Sequence, residues 1–154
     1  MTHAVVAGSI VVAAINLAAG LLGAWLWHDG RPSERATASF WVLLRAAQGA
    51  ALVLAIAVGS LAAAGRYSSD QLFYLYALMP LAIGFVAEQL RVAAAQTILD
   101  QRGLADARAV GALPEAEQRG VVLEIVRREV GVMAASALVV VFLALRAAGT
   151  AHGF

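Results

Sequence analysis

The sequence predicts an all-α integral membrane protein, an antiparallel four-transmembrane-helix bundle with helices 3 and 4 extended into a cytoplasmic helical hairpin. Three observations predict it. Of 154 residues, 62% are hydrophobic and only 14% charged, against about 45–50% and about 25% in soluble domains, and the mean hydropathy is +0.80. Four segments each supply the roughly 20 mostly apolar residues that a membrane-crossing helix needs. Arginine is shared unequally between the connecting segments, which orients the spans.

The first span is AVVAGSIVVAAINLAAGLLGAWLW, about residues 4–27, closed by HDGRPSERATA. No Lys or Arg precedes it, and its apolar core exceeds the ~7–15 residues of a signal-peptide core, so it is expected to remain as a helix. The second, about 40–65, carries Arg45 and Gln48 near its start. The third begins near Leu72 and runs as LFYLYALMPLAIGFVA until it meets Glu88. The following RVAAAQTILDQR consists largely of good helix formers and reaches Gly103 without Gly or Pro, so this helix should continue to about residue 102.

After GLADARAVGA, the sequence LPEAEQRGVVLEIVRREV restarts a helix near residue 114. Pro114 suits its first turn, and Glu115 and Glu117 complement the positive end of the helix dipole. This helix should run into the fourth span, 130–148, giving one continuous element over about 114–148. Glu115 with Arg119 and Glu124 with Arg128 stand at i,i+4 in the favourable order, each pair worth ~0.2–0.5 kcal/mol. They indicate a wetted face on a hairpin covering about residues 88–129. The whole chain, 1–154, reads as one domain.

With four spans, both termini and the loop between spans two and three share one side. The other side carries Arg31, Arg35, Arg91, Arg102, Arg108, Arg119, Arg127 and Arg128, against only Arg66 and Arg146. The positive-inside rule therefore places the hairpin in the cytoplasm and both termini on the non-cytoplasmic side of the cell membrane. Trp25, Trp27, Phe40 and Trp41 then mark the inner interface, and Tyr67, Phe73, Tyr74 and Tyr76 the outer one.

Some polar residues fall inside the spans. Counting from Leu72, Glu88 lies ~24 Å along its helix in a hydrocarbon core about 30 Å thick. Arg45, counted from Ser39 at the opposite boundary, is ~9 Å deep, and Asn16 is ~18 Å from Ala4. A charge in hydrocarbon costs at least ~2.5–3.5 kcal/mol on insertion scales, so Glu88 and Arg45, at similar depth, should face each other or share water. The expected site is an Arg45–Glu88 pair with Asn16, Gln48, Gln89 and Arg91 around it, a polar pocket open to the cytoplasm that lines a pore. A plain structural alternative is an ion pair that fixes helix register while the arginines snorkel to the headgroups. Pro80, which cannot donate to the carbonyl of Tyr76, is expected to kink the third helix and act as a gate.

Small residues recur at four-residue spacing, as Gly20 with Ala24, Ala46 with Ala50, Gly59 with Ala63 and Gly131 with Ala135, and predict close helix packing. Cysteine is absent, which excludes disulfides, thiolate metal sites and cysteine nucleophiles. All eleven basic residues are Arg, a usage that, with the abundant Ala and Gly, reads as the mark of a GC-rich genome. The net charge of +1 leaves no nucleic-acid footprint. His3 and His152 belong to the termini and His28 to a loop, so no histidine pair stands between spans to hold a haem. The chain has no HExxH, P-loop, GxGxxG or GxSxG, and Glu88 is the sole carboxylate within the spans, so no enzyme, cofactor or metal centre is expected. The functional expectation is a small, oligomeric channel or transporter for a solute or ion. Its rival is a non-catalytic accessory or scaffold subunit that docks a protein partner through the cytoplasmic hairpin.

Overall fold

The computed structural model describes residues 2–29 and 33–153, and everything regular in it is helical. The helices are α1 (Thr2–Asp29), α2 (Glu34–Ala63), α3 (Leu72–Gln101), α4 (Ala107–Gly111) and α5 (Glu115–Thr150). The four long ones are long and apolar enough to span a membrane. Arg31, counted above among the hairpin-side arginines, lies outside the described residues.

The apolar runs set the middle of each helix, and capping residues set the ends. Ser33 caps α2 by accepting the amide of Ala36 at 3.2 Å, so the helix starts at Glu34, six residues before its apolar run. Helix α3 passes through Pro80 and the charges at 88–91 without interruption and stops before Gly103, whose φ of 67° suits glycine. Pro114 stands just ahead of α5, with Glu115 and Glu117 in the first turn. The short α4 was not expected from GLADARAVGA; Asp106 nucleates it by accepting the amide of Ala109 at 2.9 Å.

The buried positions reveal the packing seams. In α1 they include Val5, Ser9, Val12, Asn16, Ala19, Gly23 and Leu26, and in α2 Phe40, Leu44, Ala47, Ala51, Leu54 and Val58. In α5 the same alternation of threes and fours links Val130, Met133, Ala137, Val140, Ala144 and Ala147. Such spacing is that of left-handed, knobs-into-holes helix packing. Helix α1 packs on α5 and α2, α3 packs on α5, and α2 and α3 touch less than any of these three pairs. Gly23 permits the closest approach: a Cβ there would stand 2.5 Å from the Phe40 ring and 2.7 Å from Cβ of Ala134. Gly20 does the same against Leu138, at 2.6 Å.

Two apolar clusters occupy the two ends. Val5, Val58, Phe73, Ala147 and Ala151 share one, which joins the start of α1 and α3 to the end of α2 and α5. Leu26, Phe40, Ala87, Val130 and Met133 share the other. The α2–α3 loop is tied to the C-terminal segment by the Ser69 amide and the Ser68 hydroxyl, which donate to the His152 carbonyl at 2.9 and 3.0 Å. Beyond the second cluster, α3 and α5 continue as a pair bridged by Arg102 and Glu124 at 2.5 Å.

Candidate functional site

Arg45, Gln48, Glu88 and Arg91 converge at the end of the molecule nearest the α3–α5 extension. Helix α2 contributes Trp41, Arg45 and Gln48, one seam-flanking stripe at three- and four-residue spacing. Helix α3 contributes Glu88 and Arg91, and α5 contributes Glu129.

The centre is Glu88. Its Oε1 accepts from Arg45 Nη1 at 2.6 Å and more weakly from Gln48 Nε2 at 3.4 Å, and its Oε2 accepts from Arg91 Nε at 2.9 Å. Arg45 Nη1 also donates to Gln48 Oε1 at 2.6 Å. Arg91 reaches onward to Glu129 Oε1 at 3.4 Å and lies over the Trp41 ring, 5.5 Å from its centroid. Two cations and two anions therefore alternate in one chain across three helices. Among the described residues, no buried side-chain nitrogen or oxygen lacks a partner.

The cluster is asymmetric in exposure. The Arg45 side chain is 53% exposed, whereas Glu88 is 26% and Glu129 18%. Only Nη1 of Arg45 is engaged, so its Nη2 and Nε hydrogens have no acceptor within the described residues. Arg45 lines a lateral groove of about 270 Å³ between α2 and α3, together with Leu52, Pro80, Leu81, Gly84 and Phe85. The groove exists because α2 and α3 pack less closely than α1 on α5, α3 on α5 or α1 on α2 and because nothing stands within 4 Å of where a Cβ on Gly84 would be.

The structure thus brings Arg45, Gln48, Glu88 and Arg91 together and leaves two of the expected members elsewhere. Gln89 is exposed and joins none of these bonds, because one step along a helix turns the side chain by about 100° away from Glu88. Asn16 is buried in the α1 seam, where its Nδ2 donates to the Val12 carbonyl at 2.9 Å. It lines a separate small cavity of about 20 Å³, enough for one water. Gln48, Pro80 and Gly84 line both this cavity and the groove, and Ser136 adds a second polar wall.

Glu129 is the member that sequence reasoning missed. It stands one residue before the fourth apolar run, so a search confined to the spans passes over it. Its signal was positional: the carboxylate nearest that boundary must meet whatever α3 presents there. The pairs on the hairpin also divide. Glu115 and Arg119 bond as their spacing predicts, but Glu124 turns to Arg102 instead of Arg128. The cross-helix guanidinium competes successfully because it also closes the hairpin. Arg127 donates to the Trp27 carbonyl at 2.9 Å and is not a free hairpin charge.

Comparison with known proteins finds no matching family model, no similar curated protein and no similar solved structure.

Proposed function

We propose that the chain is an antiparallel four-helix membrane bundle, with both termini outside and the hairpin in the cytoplasm, and that it works as a small, oligomeric channel or transporter. The observation that carries this reading is the half-exposed Arg45 guanidinium, which lines the α2–α3 groove and bonds Glu88 through Nη1 alone, leaving its other N–H groups unused. An ion pair serving only to lock two helices would use those donors inward. A solute with acceptor oxygens, or a small anion, entering the groove would meet them at once. Gln48, Asn16 and Ser136 continue the polar lining toward the bundle interior, and Pro80, beside both spaces, leaves the Tyr76 carbonyl without its usual helical donor.

Oligomerisation suits the same face. Leu52 is 49% exposed and Phe85 68%, and both line the groove, so a second copy set against α2 and α3 would convert the lateral groove into an enclosed path. In vesicles reconstituted with the chain, flux of potassium, chloride or protons above that of empty vesicles is expected, changed in rate or pH dependence by Glu88→Gln. Absence of flux, or flux indifferent to Glu88→Gln, would defeat the transport role.

One observation favours an accessory role instead. On the hairpin, Val122 and Leu123 are about half exposed (47% and 48%) beyond the apolar span, and with Gln118 and Arg119 they form a shallow hollow of about 320 Å³. A protein partner docking there would be lost on Leu123→Glu, while flux would be unaffected. A partner retained by Leu123→Glu would exclude this face as its dock.

A further inference from the structure

Across the bundle from the α2–α3 groove, a second groove of about 500 Å³ runs between α1 and α5. The small residues Ala24, Gly131 and Ala135 line it together with Trp27 and Leu138. Trp27 lies against Gly131, where a Cβ would meet the indole at 2.8 Å. From Arg128 to Leu138 the groove follows ten positions of α5, ~15 Å of helix. That is about half of the ~30 Å hydrocarbon core, the depth of one leaflet.

The mouth of this groove is cationic and lacks a counter-ion. Arg128 lines it and is exposed, and Arg127 sits beside it over the Trp27 ring, 5.6 Å from the centroid. Of the acids nearby, Glu124 is paired with Arg102 at 2.5 Å and Glu129 with Arg91 at 3.4 Å, and Asp29, exposed at the end of α1, forms no ion pair with either arginine. Arg127 bonds only to a neutral carbonyl, and among the described residues neither guanidinium has a carboxylate in ion-pair range. Two adjacent guanidiniums call for a phosphate, which accepts from both. An apolar groove one leaflet deep beneath them calls for an acyl chain.

We propose that this groove is a binding site for one anionic phospholipid of the leaflet nearest the hairpin, with its phosphate at Arg127 and Arg128 and an acyl chain laid past the Trp27 ring along Ala135 and Leu138. The site rests on the membrane reading given above and is independent of the transport role. A zwitterionic lipid is disfavoured because its own cation would stand beside two guanidiniums.

The test uses the full chain in nanodiscs of equal phosphatidylglycerol and phosphatidylcholine, with retained lipid read by native mass spectrometry after detergent release. Retention of phosphatidylglycerol over phosphatidylcholine by about tenfold or more is expected from two interfacial arginines. Arg127→Gln with Arg128→Gln should bring that ratio near unity. Ala135→Phe fills the groove at an exposed position without touching the charges, and it should release the lipid as well. A chain that inserts but retains both lipids equally overturns the site alone, as does undiminished phosphatidylglycerol retention in either variant. Displacement of the lipid by soluble glycerophosphate would show that the headgroup binds without the groove, and would also overturn it. A chain that fails to enter the bilayer overturns the membrane reading and the site together.

Discussion

At the scale of single residues, Glu88 decides the character of the molecule. In the proposed membrane setting a lone carboxylate at its depth would be costly by at least ~2.5–3.5 kcal/mol, and Glu88 is met by two guanidiniums and an amide. Polar couplings between membrane helices average about 0.6 kcal/mol and reach about 1.7. The short, charged Arg45–Glu88 contact should lie in the upper part of that range. A double-mutant cycle with Arg45→Ala and Glu88→Gln, followed by unfolding in mixed micelles, is expected to give a coupling of about 1 kcal/mol or more; additive effects would show that the two residues act independently. This pair was legible in the sequence because depth counting from opposite boundaries brought Arg45 and Glu88 to one level. Depth says nothing about azimuth, and that is why Gln89 and Asn16 were grouped with the pair although Gln89 faces away and Asn16 occupies the α1 seam. Glu129 escaped for the complementary reason, since a boundary drawn by hydropathy excluded it.

At the scale of helices, the number and order of the long elements were legible and their inner faces were not. Hydropathy marks a span by its average, and Ala, Val and Leu surround these helices on every side, so no stripe distinguishes the core face from the outer face. The seams emerge only where side chains are forced small. Gly23 is such a point, and Gly49, with nothing within 4 Å of its added Cβ, is the control on a neighbouring helix. Gly23→Ala should destabilise the protein by about 1–3 kcal/mol through overpacking against Phe40 and Ala134. Gly49→Ala should be neutral or stabilising by up to about 1 kcal/mol. Thermal unfolding in detergent distinguishes them, and equal effects would mean that α1 does not approach α2 and α5 as described. The early start of α2 and the presence of α4 belong to this scale too: both are set by single capping side chains, Ser33 and Asp106, in segments where composition alone reads as loop.

At the scale of the whole molecule, the two ends differ in chemistry. One is closed by neutral contacts between the α2–α3 loop and the C-terminal segment, and the other carries the charge cluster, the hairpin and most of the arginines. That polarity underlies the proposed orientation, and the absence of cysteine lets it be measured without altering the native background. Single cysteines at His3 and at Arg108, both exposed, should react with a membrane-impermeant thiol reagent from opposite sides. The decisive position is Gln48, which borders both the groove and the small cavity. Gln48→Cys, in sealed vesicles whose orientation is fixed by those two markers, should be modified from the side of Arg108 and remain untouched from the side of His3. Modification from the side of His3, or none from either side, would contradict a polar site within the membrane that opens toward the hairpin.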